Sequence, residues 1–217
     1  MPPRAAATRP NSFLRAWVDL FLQEWDLQRY PRLFDASAGR FTADISPNYS
    51  KMSNQEIRDA SAVAANARIA IFLRDPVERA WSHARMAAEK WKLNDPIQRM
   101  DRMIQFVHSR GCNSRADYPR LISDWSIHFG KENVVISFYE DLEADPLKFI
   151  DRILSFVGAP EFPRDRLEVL ATRTNVGTAI AMPDDVRRAL ETRHNPMIAK
   201  LRDLIGTEAA PAWLHRG

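Results

Sequence analysis

Apolar residues recur along the chain in two periods, and the places where the period changes mark its elements. Phe13, Leu14, Trp17, Val18, Leu20, Phe21 and Trp25 are spaced as one face of an amphipathic helix. That helix must end before Pro31, because a proline pushes the preceding residue out of the helical region. Residues 41–45 read as a short strand running into a turn at Pro47. A polar helix over 53–65 leads to Ala67-Arg68-Ile69-Ala70-Ile71-Phe72-Leu73-Arg74, a nearly continuous apolar run that predicts a strand over 67–73 of a parallel sheet covered on both faces. Asp75 and Pro76 then occupy the N-cap and first position of a helix over 76–90, with Glu78 placed to complete a capping box. A helix over 96–107 should turn Ile97, Met100, Ile104 and Val107 inward, and an irregular stretch, 109–117, separates it from a helix over 119–129 closed by Gly130. Residues 133–138 form a third strand, and the stripe Leu147, Ile150, Ile153, Leu154 and Val157 predicts a helix capped by Asp145 and stopped at Gly158. Two short helices over 184–193 and 196–205 close the reading, divided at Pro196.

Strands alternating with helices predict an α/β fold with a parallel sheet, whose ligands gather at the carboxyl ends of the strands. Asp44, Arg74 and Tyr139 all stand at such ends. Residues 1–12, rich in Pro, Ala and Arg, are expected to be a flexible tail, and residues 13–217 a single domain.

Composition narrows the chemistry. Hydrophobic residues at 45% and charged residues at 27% are enough for a buried core and argue against a mainly disordered chain. Only 6 of the 31 basic residues are Lys, so the cations are mostly planar forks suited to phosphate, sulfate and carboxylate, or else a solvated Arg-rich surface. Cys112 is the one cysteine, which excludes an intrachain disulfide and a thiolate metal cluster and fits a reducing, cytoplasmic setting. The histidines show no metal spacing, and no apolar run is long enough to span a membrane. A pI of about 9.2 raises nucleic acid as a partner, but the basic residues form no stripe interleaved with aromatics, so no nucleic acid is expected.

The sharpest local signal is Leu73-Arg74-Asp75-Pro76 followed by Ser82 on the next helix. An Arg at a strand end supplies a bidentate cationic fork and a helical Ser a neutral donor, and both suit the oxygens of one phosphate. The alternative is that Arg74 pairs with a nearby carboxylate and Ser82 is an ordinary helix residue. His83 faces another direction and reads as filling, and Trp81, Trp91 and Trp125 read as core before they read as base stackers.

This segment resembles the 3′-phosphate-binding segment of the sulfotransferases that use 3′-phosphoadenosine 5′-phosphosulfate. Two further segments are similar to that family in order and spacing. They are the strand and turn ending Phe138-Tyr139-Glu140-Asp141-Leu142, with its packing helix, and Asp44-Ile45-Ser46-Pro47-Asn48-Tyr49. The resemblance spans residues 40–205. It implies a three-layer, P-loop-like fold with a short parallel sheet flanked by helices. It also implies transfer of a sulfuryl group from 3′-phosphoadenosine 5′-phosphosulfate, without a metal, to a hydroxyl or amine on a small molecule, glycan or lipid. In that reading Arg74 and Ser82 bind the 3′-phosphate. Asp44 stands where the family often has Glu, and either takes the acceptor's proton or bonds a neighbouring group. Arg173-Thr174-Asn175-Val176-Gly177 resembles the loop that folds over the nucleotide, so Arg173 and Gly177 join the nucleotide-binding set, with a plain turn as the alternative.

The sequence departs from the family's pattern in its first 50 residues. Gly39 is the one glycine there, so the Gly-rich loop that cradles the 5′-phosphosulfate, its Lys or Arg and the strand before it are missing. The favoured expectation is that the working protein starts further upstream. The alternatives are a shortened homologue that binds the nucleotide or a protein partner without transferring sulfate, and replacement of the missing half by the helix at 13–25.

Overall fold

In a computed structural model of the chain, the residues described are Tyr30, 42–159, Pro163, 179–206 and 210–216. The expected tail over 1–12 and helix over 13–25 lie outside them. The chain divides into two compact units, residues 1–67 and 68–217.

In the first unit, residues 42–46 carry no regular structure, in place of the expected strand, whose residue 41 lies outside the described set. Ile45 is 85% exposed. Ser46 opens a 3-10 turn over Pro47–Lys51, its Oγ accepting from the Asn48 amide at 3.2 Å. Helix α1, Asn54–Val63, starts at a complete capping box: Ser53 Oγ accepts from the Glu56 amide, and the Glu56 carboxylate accepts from the Ser53 amide at 2.7 Å. Those bonds hold the Glu56 carboxyl below its usual range.

In the second unit, strand β1, Ile69–Leu73, gives way within three residues to helix α2, Pro76–Lys90. Asp75 caps that helix by accepting the Val77 amide at 2.9 Å. Glu78 is not the expected partner in a capping box; its carboxylate takes Arg187 at 2.8 Å instead. Helix α3, Pro96–His108, buries Met103 and Val107 and packs on α2, but Ile97 points outward at 73% exposure. Ile97 sits in the first turn, where the Asp95 cap sets the rotation. A single turn of helix, α4 (Arg110–Asn113), interrupts the stretch expected to be irregular. The Ser109 cap and the Asn113 amide, which donates to the carbonyls of Val107 and Ser109, hold it in place.

Helix α5, Tyr118–Phe129, packs on both strands. Strand β2, Val134–Phe138, pairs in parallel with β1, from Ile69 opposite Val134 to Leu73 opposite Phe138. Phe72 is 53% exposed and leans on Phe149, with ring centres 5.5 Å apart. A short helix α6, Tyr139–Ala144, leads into α7, Pro146–Val157. Gly158 stops α7 in the left-handed region (φ 71°), which lets the Ala159 amide reach back to the Leu154 carbonyl at 2.9 Å.

Helix α8, Asp184–Ile205, runs unbroken through Pro196 where two helices were expected. Val186, Leu190, His194, Ile198 and Leu201 form one buried stripe on both sides of the proline, and burying that stripe outweighs the lost backbone bond. Val77, Ala80, Trp81, Ala84 and Ala88 of α2 form the centre of the core with Met103, Val107, Cys112, Val186 and Leu190. The small residues of α2 let its neighbours approach closely, so the helix carrying Ser82 is held on a rigid bed.

Candidate functional site

The parallel register builds the site. Because Leu73 lies opposite Phe138, the next residues, Arg74 and Tyr139, leave neighbouring strands at the same level. The Arg74 guanidinium lies over the Tyr139 ring, 4.4 Å from its centre, a cation–π contact that holds the fork without neutralising it. Its backbone is fixed from above: the Tyr118 hydroxyl donates to the Arg74 carbonyl at 2.8 Å. Burial raises the pKa of that phenol, which keeps it a donor. Among the described residues no carboxylate pairs with Arg74 and none takes the Ser82 hydroxyl. Both groups are half-buried. Ser82 lies about 9 Å of helix rise beyond Pro76, one turn past Glu78.

Asp75, next to Arg74, is 4% exposed. One oxygen caps α2 and the other accepts from Arg216, which also reaches Glu191 at 3.3 Å. Asp44 belongs to the first unit. It is exposed, and a single oxygen, Oδ2, accepts from both the Tyr30 hydroxyl, at 2.5 Å, and the Tyr49 hydroxyl. Burial, then the bond to Asp44, raises both phenol pKa values, so both stay protonated as donors. The second carboxylate oxygen, Oδ1, makes neither of these bonds. Arg173 and Gly177 lie outside the described residues.

The sulfotransferase-domain family model matches residues 40–175, more than half of the chain. The chain belongs to the sulfotransferase family. Its fold is similar to the crystal structure of a sulfotransferase from Alicyclobacillus acidocaldarius. The TM-score is 0.59 at 24% identity, and the match covers 87% of this chain and 74% of that one. In sequence it is similar to the bifunctional heparan sulfate N-deacetylase/N-sulfotransferase 1 of Caenorhabditis briggsae, 22% identical over 157 residues. The match covers 64% of this chain and 17% of that protein, so the chain spans less than a fifth of that relative's length.

Parallel strands with helices packed on them are the α/β sulfotransferase fold. Within this member of the sulfotransferase family the sequence singled out Arg74, Ser82 and Asp44, and missed most of the contacts that hold them. Tyr139 is legible once β1 and β2 are aligned, because both apolar runs end one residue earlier. Tyr118, Arg216 and Tyr30 carry no spacing signal, since they reach their partners across 14 to 141 residues, whereas Tyr49, five residues from Asp44, closes the segment that resembles the family. The turn Glu140-Asp141-Leu142 is built for structure: Asp141 pairs with Arg152 of α7 at 3.5 Å, and Arg152 also donates to the Ile136 carbonyl. Trp81 and Trp125 are buried core, Trp81 donating to the Ile180 carbonyl at 2.8 Å, and His83 stacks edge-on against Phe106.

Proposed function

We propose that the chain transfers a sulfuryl group from 3′-phosphoadenosine 5′-phosphosulfate to a hydroxyl or amine, with Arg74 and Ser82 holding the nucleotide's 3′-phosphate. The observation that carries this reading is the half-buried guanidinium of Arg74, laid on Tyr139 and matched by no carboxylate among the described residues. A cation in that condition fits an anionic ligand, because its bidentate donors are held on the ring and no described carboxylate cancels their charge. The donor, when bound, supplies an activated sulfuryl group on a phosphate leaving group.

The protein's own contribution is binding, orientation and proton acceptance. Arg74 supplies two parallel N–H donors and Ser82 a third, aimed from one strand-to-helix junction. Arg173 and Gly177 are proposed to add charge and backbone donors to the same phosphate. Asp44 is proposed to accept the acceptor's proton on Oδ1, while Tyr30 and Tyr49 fix the carboxylate by donating to Oδ2. The acceptor is a small molecule, glycan or lipid, and the name of the relative, a heparan sulfate N-sulfotransferase, favours a glycan amine within that class. The single cysteine, buried and free, supports a reducing, cytoplasmic setting.

Calorimetry with 3′-phosphoadenosine 5′-phosphate tests the site. Arg74→Ala should weaken binding by about 1.5–3 kcal/mol, the worth of a hydrogen-bonded charged group, and Ser82→Ala by about 1 kcal/mol. Unchanged affinity in both variants would overturn the assignment. A sulfate-transfer assay on the wild type then separates an active enzyme, which binds and turns over, from a homologue that only binds.

A further inference from the structure

We infer that Trp213 and Arg216 form a brace that positions Arg74, so that recognition of a 3′-phosphate depends on residues about 140 positions away in sequence from the Arg itself. The inference rests on the reading of Arg74 as the 3′-phosphate ligand and adds two positioning residues to it.

Residues 212–215 form a 3-10 turn that carries Trp213 and is followed directly by Arg216. Trp213 is 3% exposed and meets two rings edge-on: Tyr118, with centres 6.4 Å apart, and Phe138, 6.0 Å apart. Tyr118 is the residue that donates to the Arg74 carbonyl, and Phe138 precedes the Tyr139 ring on which the Arg74 guanidinium lies. Trp213 therefore backs both contacts that orient Arg74, one to its main chain and one to its side chain. Three residues on, Arg216 pairs with the buried Asp75, the residue covalently next to Arg74. Asp75 has spent its other oxygen on the Val77 amide, so its remaining charge has to be met by a cation. Arg216 meets it with a fork whose other arm is held by Glu191 of α8. A guanidinium suits this position because one planar group can serve two carboxylates at once. The carbonyl of Arg74, the ring beneath its side chain and the carboxylate that follows it are thus all held, directly or through one residue, by the turn at 212–216.

Loss of the brace leaves Arg74 itself intact. What changes is where its guanidinium sits relative to the phosphate, and small displacements at a preorganised site are expensive in affinity. The readout is therefore the ratio of affinities for 3′-phosphoadenosine 5′-phosphate and for adenosine 5′-monophosphate, which lacks the 3′-phosphate. A variant that merely loosens the fold lowers both affinities and leaves the ratio alone. A variant that moves Arg74 lowers the ratio.

The experiment titrates both nucleotides into the full chain as wild type, Arg74→Ala, Arg216→Gln and Trp213→Leu, with thermal melts of each. Arg74→Ala should abolish the preference for the 3′-phosphorylated nucleotide. Arg216→Gln should cut that preference about tenfold, as misplacement of a binding group does. Trp213→Leu keeps the burial and the Asp75–Arg216 pair but removes both ring contacts, so it reads the brace even if Arg216→Gln fails to fold, and it should cut the preference several-fold. If Arg74→Ala keeps the preference, the underlying site reading fails. If Arg74→Ala loses it while a folded Arg216→Gln or Trp213→Leu keeps the wild-type ratio, the site stands and the brace is overturned.

Discussion

His194 shows how a single residue couples this core to pH. It is 5% exposed, its Nε2 has no hydrogen-bond partner among the described residues, and Arg79 and Arg193 face it. Burial first, then those two cations, push its pKa down to about 4, with Asp75 opposing them. The folded state therefore prefers neutral His194, while the unfolded chain protonates it near the ordinary value of about 6.5. Between those values the unfolded state binds more protons. The stabilisation is complete above about pH 6.5 and is lost progressively as pH falls toward 4. Urea unfolding at pH 7.5 and 4.5 should show a loss of about 2–3 kcal/mol that a His194→Gln variant lacks. An equal pH response in both proteins would remove His194 as its source. At the same scale, nothing in the sequence marked this histidine: on the helical pattern it is one polar residue in an apolar stripe, and only packing shows that the stripe includes it.

At the scale of elements, α8 is the clearest conflict between local preference and tertiary demand. A proline inside a helix lacks an N–H and crowds the carbonyl four residues earlier, here Thr192, which is why the sequence reads as two helices. Leu190 and Ile198, both fully buried on either side of it, require one continuous face against α2 and α5. Pro196→Ala should restore a backbone N–H that donates to the Thr192 carbonyl and raise the unfolding free energy by about 1–2 kcal/mol, less than the helix preference alone because proline also restricts the unfolded chain. A lower denaturation midpoint for that variant would mean that the proline's shape matters to packing. By contrast, α2 and α7 were legible to the residue, since Asp75-Pro76 and Asp145-Pro146 place a cap and a proline at each start and glycine ends α7. The strand expected at 41–45 was not, because five alternating residues specify a strand only if a neighbour supplies the hydrogen bonds.

At the scale of the molecule, the proposed roles fall in different units: Asp44 in residues 1–67, Arg74 and Ser82 in 68–217. Binding and proton acceptance should therefore separate in mutants. Asp44→Asn keeps the shape and the two phenol donors but removes the base, so turnover should drop about 10²–10⁴-fold while affinity for 3′-phosphoadenosine 5′-phosphate stays within about twofold. Equal losses in both would move Asp44 into the nucleotide site, and no loss in either would leave it a structural acceptor for Tyr30 and Tyr49.

What the sequence determined by itself is local: the Arg74-Asp75-Pro76 junction, the cap that fixes where α2 begins, and the placing of Ser82 on that helix. Each depends on residues within a few positions of one another, where backbone sterics and short-range hydrogen bonds decide the outcome. Tertiary structure decided what those residues touch. Tyr139 came under Arg74 through the register of two strands 65 residues apart, as Ile69 opposite Val134 shows. Arg216 met Asp75 because a buried carboxylate needs a cation from wherever the fold can deliver one. Such partners are set by burial and charge in three dimensions, and no spacing along the chain encodes them.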